Sequence, residues 1–264
     1  LAQSWLGEVP LNPVVFSIFG LSLRAFPAAI LVPALVGAGV LAFAGRRRHQ
    51  TSRWLDVGLA ALIGGLVGAR IVHIILEWPY FSANPDQVLS LAGGGLAWQG
   101  AVWGGTLAAW AVARLRGVDW VAFADRFTLI FPLLAVGAWA GCGASACAYG
   151  VEVRTLADYP RWLVTEALDI YGQVAPRLDL PSLGAGFAIL LLAVVLLPTR
   201  RYRFWISLAI FALGMFVIGF FRADYVPVWF GRRADQILDL GVFVFAALAL
   251  IRLRLRATSL RQPG

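Results

Sequence analysis

Lysine is absent from this 264-residue chain: all 22 of its basic residues are arginine. Charge of any kind is scarce, at 14% of residues, where a soluble domain carries about 25%. The chain also has only two cysteines and two histidines. Two cysteines exclude a disulfide-stapled scaffold. What fills the chain instead is apolar: 60% of residues are hydrophobic and the mean hydropathy is +0.79. So little polar surface cannot cover so much apolar mass in water. Soluble, disordered and collagen-like chains are thereby excluded, and an all-α polytopic membrane protein is expected. The net charge of +8 raises nucleic acid as a partner. The arginines cluster at the ends of apolar runs, however, where they act as topology determinants. No nucleic-acid partner is expected.

Runs of about 17–25 apolar residues mark helices able to cross the bilayer core. Seven are expected: Phe26–Ala44, Leu55–Leu76, Leu96–Ala113, Phe127–Ala148, Leu183–Leu197, Phe204–Phe221 and Ile237–Leu253. Leu1–Leu23 is apolar but interrupted by Pro10 and Pro13, and reads as an interfacial segment without a cleavable signal peptide. Arg46, Arg47, Arg48 and Arg53 follow the first run, Arg114 and Arg116 the third, Arg200, Arg201 and Arg203 the fifth, and Arg252, Arg254, Arg256 and Arg261 the last. The positive-inside rule makes that side cytoplasmic, with the N-terminus outside and the C-terminus inside. Trp54, Trp78, Trp120, Trp205 and Trp229 stand near span ends, as interfacial anchors do. A cytoplasmic membrane is the expected location, and residues 1–264 are expected to form one membrane domain. The loop Val151–Pro181 lies on the outer side. It reads as a small extracytoplasmic head holding a helix-like piece, Arg161–Tyr171, between Pro160 and Gly172.

Gly64 with Gly68, Gly100 with Gly104 and Gly137 with Gly141 have the small-xxx-small spacing that lets helix backbones approach in lipid. The run Gly93-Gly94-Gly95 predicts a turn or unwound stretch where backbone can approach a ligand. Arg70, His73 and Glu77 share one helix face at i, i+3 and i+7. Asp235, Gln236 and Asp239 line the start of the last span, Arg222 ends the sixth, and Arg232 and Arg233 precede the seventh. Ionisable groups in a membrane are functional candidates. The alternative is structural: Arg70 pairing with Glu77 or Asp239 to staple helices. Several arginines in one leaflet suit an anionic phospholipid head group, since guanidinium forks bind phosphate bidentately. Arg70, Arg222, Arg232 and Gln236 are the candidates for holding that phosphate.

The ordered motifs resemble one family along nearly the whole chain: the bacterial phosphatidylglycerol–prolipoprotein diacylglyceryl transferases. Asn12–Phe26 is similar to the family's opening. Gly68–Ile71 followed by Tyr80-Phe81 and Asn84-Pro85 is similar to its second span and loop. Gly93–Gly105 resembles its Gly-rich segment, and Ala138–Gly150 its signature. Cys142, Cys147, Tyr149 and Gly150 fit a Cys-containing variant of that signature, and Phe220-Phe221-Arg222 and Asp235-Gln236-Ile237-Leu238 resemble its last two spans. The resemblance implies transfer of a diacylglyceryl group from phosphatidylglycerol to the thiol of a lipobox cysteine on a lipoprotein precursor. That reaction needs a base or polar partner for the thiol, and cationic donors for the departing glycerol phosphate.

Against the family pattern, Gln99 stands for a histidine, Trp139 for the signature arginine, and Cys142 and Cys147 for the signature asparagine and glutamate. Phe26 stands for a tyrosine, and Met215 and Gly219 for an arginine and a glutamate. Arg70, Gly100, Gly150, Arg222 and Gln236 are kept. Gln99 hydrogen-bonds but is no general base near neutral pH. The catalytic candidates are therefore Gln99, Cys147, His73 and Asp239, with Gly93, Gly94, Gly95, Gly100 and Gly150 allowing close backbone approach. The two cysteines read as buried packing residues; at i and i+5 of a helix their side chains diverge, so no disulfide is expected between them. Neither a metal nor a cofactor is expected. Three readings stand: a diverged member that binds anionic phospholipid, as a structural or lipid-site subunit of a membrane complex; an active transferase of altered form; and a solute transporter or channel. The last would want a polar path across both leaflets, and the cytoplasmic halves of the spans are almost wholly apolar.

Overall fold

A computed structural model describes residues 13–18, 21–46, 49–90, 95–169, 171–196 and 202–259. Gly93 and Gly94, and with them the start of the expected glycine turn, lie outside these residues, as do Asn12, Arg47, Arg48, Arg200, Arg201 and Arg261. A short hairpin opens the described chain, β1 (Val14–Ile18) with β2 (Leu21–Arg24). There follow α1 (Ala25–Arg46), α2 (Thr51–Leu76), α3 (Trp78–Ala83), α4 (Trp98–Arg116), α5 (Trp120–Phe127) and α6 (Phe131–Ala144). A second hairpin, β3 (Val164–Leu168) with β4 (Val174–Leu178), leads to α7 (Leu180–Leu196) and α8 (Arg203–Ile218). A third, β5 (Val228–Trp229) with β6 (Arg232–Arg233), precedes α9 (Ala234–Ser259).

The protein is an all-α membrane protein. Among the described residues, four stretches are long and apolar enough to cross a bilayer: Ala25–Arg46, Thr51–Leu76, Arg203–Phe221 and Ala234–Leu255. Helices α5 and α6, interrupted at Thr128–Ile130, make a fifth if taken as one span. Helix α4 is long enough at 19 residues, but Gln99, three glycines and two terminal arginines dilute its apolar content. Helix α7 is described for 17 residues only.

The chain forms two compact units. The first holds the described residues up to Val36, Phe131–Ala193 and Phe220–Asp224. In it the glycines of α6 do what their spacing predicts. A Cβ at Gly137 would collide with Ala29 and Pro33 of α1, and one at Gly141 with Phe26. The loop after α6 is a β structure. Val153 N–H donates to Pro176 O at 2.9 Å, Leu178 N–H to Val151 O at 3.1 Å and Val151 N–H to Phe221 O at 2.9 Å, so residues 150–153 add an extended edge to the β3–β4 hairpin. The helix expected over Arg161–Tyr171 is thus overturned. Val164–Leu168 is a strand whose partner, Val174–Leu178, lies across a turn that Asp169 caps by accepting from the Tyr171 and Gln173 amides. A helix-length apolar stretch was outweighed there by a hairpin partner a few residues on, closed by an Asx turn at Asp169 and Gly172 at φ +77°.

The second unit holds the described residues of Gly37–Ile130, Val194–Gly219 and Tyr225–Gly264. Its two most extensive helix pairings are α2 with α4 and α8 with α9. The α2–α4 seam is built from glycine. A Cβ on Gly68 would strike Gly100 O and Gly104, and one on Gly64 would strike Ala108 and Gly104 O. Close backbone approach of this kind supplies the dispersion contact that replaces hydrophobic driving force in lipid. An aromatic chain joins the helices of this unit: Trp54–Phe123 at 5.9 Å between centroids, Phe127–Phe204 at 6.2 Å, Trp205–Phe245 at 5.5 Å and Trp103–Phe245 at 4.4 Å. Asp119 starts α5 by accepting from the Val121 and Ala122 amides, and Gly117 in the left-handed region stops α4.

Candidate functional site

In the second unit, Arg70 sits on α2 at 9% exposure and faces the loop before α4. Its guanidinium donates to four backbone carbonyls: Val88 at 2.9 Å, Gln87 at 2.6 Å, Ser90 at 2.7 Å and Gly95 at 3.2 Å. It also lies 5.0 Å over the buried Phe81 ring, and the His73 ring meets the same Phe81 edge-on at 5.7 Å. Gly95 has φ +82°, and a Cβ there would collide with His73 Nε2 and crowd Arg70. The close backbone approach expected of Gly95 is therefore realised against the protein's own His73 and Arg70. Gly100 makes its close approach to Gly68 and Val72. Glu77, on the same face of α2, ends the helix, and burial pushes its carboxyl up.

One turn further along, Gln99 and Asp239 meet. Gln99, 3% exposed, donates its Nε2–H to Asp239 Oδ1 at 2.6 Å and to Asp235 O at 3.2 Å. Trp98 Nε1–H donates to the same Asp239 oxygen at 3.1 Å. Asp239 is 2% exposed, so α4 and α9 are joined by a buried carboxylate with two side-chain donors. Such a group is costly to bury unless hydrogen-bonded. Beside it, Arg233 forms a two-pronged ion pair with Asp235, at 3.1 and 3.0 Å. Gln236 donates to Phe216 O of α8 at 3.1 Å, and Gly219 leaves the space that its side chain fills. Arg232 is exposed on β6. Met215 is buried within α8.

Arg222 belongs to the first unit, where Gly150 bridges to it and its guanidinium grips Asp224 at 2.9 Å through Nε. Next to Gly150, Arg177 is 4% exposed, pairs with Glu152 at 2.7 Å and Asp169 at 3.3 Å, and lies 4.9 Å over the Tyr149 ring. Burial pushes the Tyr149 hydroxyl up, and Asp169 and Asp224 push it further while Arg177 opposes them. This Arg177 cluster was not found by sequence reasoning. Nothing in the sequence set Arg177 apart from Arg154 and Arg161 of the same loop. Trp98 and Asp224 were missed likewise, since their partners are set by folding.

The signature segment departs from expectation at its cysteines. Cys142 and Cys147 form a disulfide, with Cα atoms 4.7 Å apart. The expectation that they diverge assumed a helix through both. The helix ends at Ala144, and Ala146 and Ala148 take left-handed φ values of +50° and +54°, which fold Cys147 back on Cys142. Trp139, in the signature arginine's place, is 5% exposed, with Gly184 of α7 directly under its indole. Among the described residues no three His, Cys, Asp or Glu side chains are grouped to hold a metal ion.

Comparison with known proteins meets this geometry from the other side. The sequence pattern described as prolipoprotein diacylglyceryl transferase matches residues 13–252. A phosphatidylglycerol–prolipoprotein diacylglyceryl transferase of Symbiobacterium thermophilum is 30% identical over 269 residues, covering 96% of this chain and 94% of the relative. That of Clostridium novyi is 28% identical, covering 91% and 95%, and that of Bacillus licheniformis 28%, covering 93% of each. Similarity along nearly the whole chain and the membrane helices together place the protein: it belongs to the prolipoprotein diacylglyceryl transferase family.

Proposed function

We propose that this chain is a diverged member of its family, a Cys-containing variant, that holds an anionic phospholipid of the phosphatidylglycerol type in the membrane and has given up group transfer. It acts as a lipid-binding or structural subunit. The carrying observation is the Gln99–Asp239 pair. Where the reaction needs a base for a thiol, a neutral amide stands, and its donor is already committed to a buried carboxylate. Two further substitutions agree. Trp139 packs on Gly184 and carries no charge for a phosphate, and Cys147 is bonded to Cys142. Arg70, Arg222, Arg232 and Gln236 are each proposed, within their own unit, to contact lipid phosphate by guanidinium or amide donation, in exchange for the carbonyls that Arg70 and Gln236 hold and the carboxylate that Arg222 holds in this structure. The chain crosses the membrane seven times in this reading. Helix α4, seated along α2 by glycine contacts, and α7 add to the five longer candidates, and residues 151–181 form the extracytoplasmic head.

One observation favours the active alternative. Asp239 lies within hydrogen-bonding distance of Gln99 and is the one carboxylate so placed among the described contacts. In that case Asp239 would take the lipobox thiol proton. The sulfur would bond to the diacylglyceryl carbon as glycerol phosphate leaves.

Mass spectrometry of a lipobox peptide, incubated with the purified protein and phosphatidylglycerol beside an active family transferase, tests the two. No diacylglyceryl mass gain is expected while the control gains it. A gain that disappears in Asp239→Asn would overturn the first reading in favour of the second. In parallel, Arg70→Ala and Arg222→Ala are expected to lower co-purified anionic phospholipid; unchanged lipid in both sinks the lipid site.

A further inference from the structure

Residues 222–233 connect two membrane spans, Arg203–Phe221 and Ala234–Leu255, and fold into the β5–β6 hairpin. Its strands pair Val228 with Arg233 and Trp229 with Arg232. The two turn residues, Phe230 and Gly231, both have positive φ, +51° and +75°. That is a type I′ turn, whose first position suits Asn, Asp or Gly. Phenylalanine there is strained, because its Cβ crowds the backbone in the left-handed region. Moreover, the ring gains nothing from the rest of the chain: Phe230 is 99% exposed, and Val228 is 67% exposed beside it. A strained residue with no internal contact to hold it points to a role outside the chain.

Chain connectivity says where that role lies. Phe230 is a few residues from the first residue of α9, so its tip reaches no more than about 10–15 Å from the span's end. The hairpin is also tied to that end, for Ala234 N–H donates to Pro227 O at 2.8 Å and Arg233 clasps Asp235. An apolar tip at this height meets the boundary between head groups and acyl chains, where aromatic rings settle. Arg232, exposed one residue past the turn, brings positive charge to the level of lipid phosphate.

We propose that the β5–β6 hairpin is an interfacial anchor, with Phe230 and Val228 entering an acidic phospholipid surface and Arg232 meeting its phosphates. Because the hairpin is fastened to the start of α9, it fixes the height of Asp235, Gln236 and Asp239 in the bilayer. The inference rests on the two flanking spans; because Arg232 is also a phosphate-binding candidate of the proposed function, the labels at 230 and 228 decide it, and it stands whether or not the chain transfers a diacylglyceryl group.

The test uses Phe230→Cys in the full chain, whose own two cysteines are disulfide-bonded, labelled with an environment-sensitive fluorophore in phosphatidylcholine vesicles with and without phosphatidylglycerol. Val228→Cys is a second reporter, and Asp158→Cys a control in the head loop. Blue-shifted emission is expected at 230 and 228, with strong quenching by a spin label carried shallow in the lipid. Quenching by aqueous iodide should be severalfold weaker there than at 158. Adding Arg232→Gln should weaken the response to phosphatidylglycerol and leave the response to phosphatidylcholine. Iodide quenching at 230 and 228 equal to that at 158 overturns the proposal. So does a label that stays wet in vesicles and becomes shielded only on adding a lipobox peptide, or only with protein concentration; these would assign the tip to a peptide or to a second copy.

Discussion

Replacing Asp239 by Ala would strand one N–H of the buried Gln99 amide, whose Nε2 keeps Asp235 O, and the half-buried Trp98 indole N–H. Each stranded donor costs about 1–3 kcal/mol. Asp239→Asn keeps an acceptor oxygen in place and should cost much less. Thermal unfolding in detergent should therefore rank wild type and Asp239→Asn close together, with Asp239→Ala well below; equal melting of Asn and Ala variants would mean that the carboxylate does not hold α4 to α9. Sequence reasoning picked out both Gln99 and Asp239 but could not see that they touch. They stand 140 residues apart, and no periodicity carries information over that distance. Arg70 shows the same limit. Its face on α2 was readable, whereas its four carbonyl partners exist only because residues 87–90 and Gly95 fold over it.

Among elements, the α2–α4 seam was the most legible, since small-xxx-small spacing is a property of one strand of sequence and states its own purpose. Gly104→Leu should be felt across it: the new side chain would enter Gly64 and Gly68, an overpacking worth about 1–3 kcal/mol. Gly39→Leu, with open space around it, is the matched control. Comparable melting temperatures for the two variants would remove the seam from the list of supports. The β3–β4 hairpin was misread as helix, because Val, Leu and Ala in short runs serve either state until a partner strand is present.

At the scale of the whole molecule, arginine placement predicts a cytoplasmic C-terminus and an outer head loop. A fluorescent protein that matures only in the cytoplasm, fused after residue 264, should be bright, and a periplasmic reporter inserted after Asp158 should be active. A dark C-terminal fusion, with a periplasmic reporter active at the same end, would place the C-terminus outside and overturn that prediction.

Composition and spacing by themselves determined the membrane class and the glycine seam, because apolar runs and small-residue periods are local and survive without knowledge of any partner; the family was legible only as a resemblance of ordered motifs. Tertiary structure alone decided the rest. It ended α6 at Ala144 and so joined Cys142 to Cys147, gave Arg70 its carbonyls, and closed Gln99 on Asp239. Each of these depends on where two distant or differently folded pieces of chain come to rest, and in a low-dielectric interior a buried polar group is tolerated only once that partner has arrived.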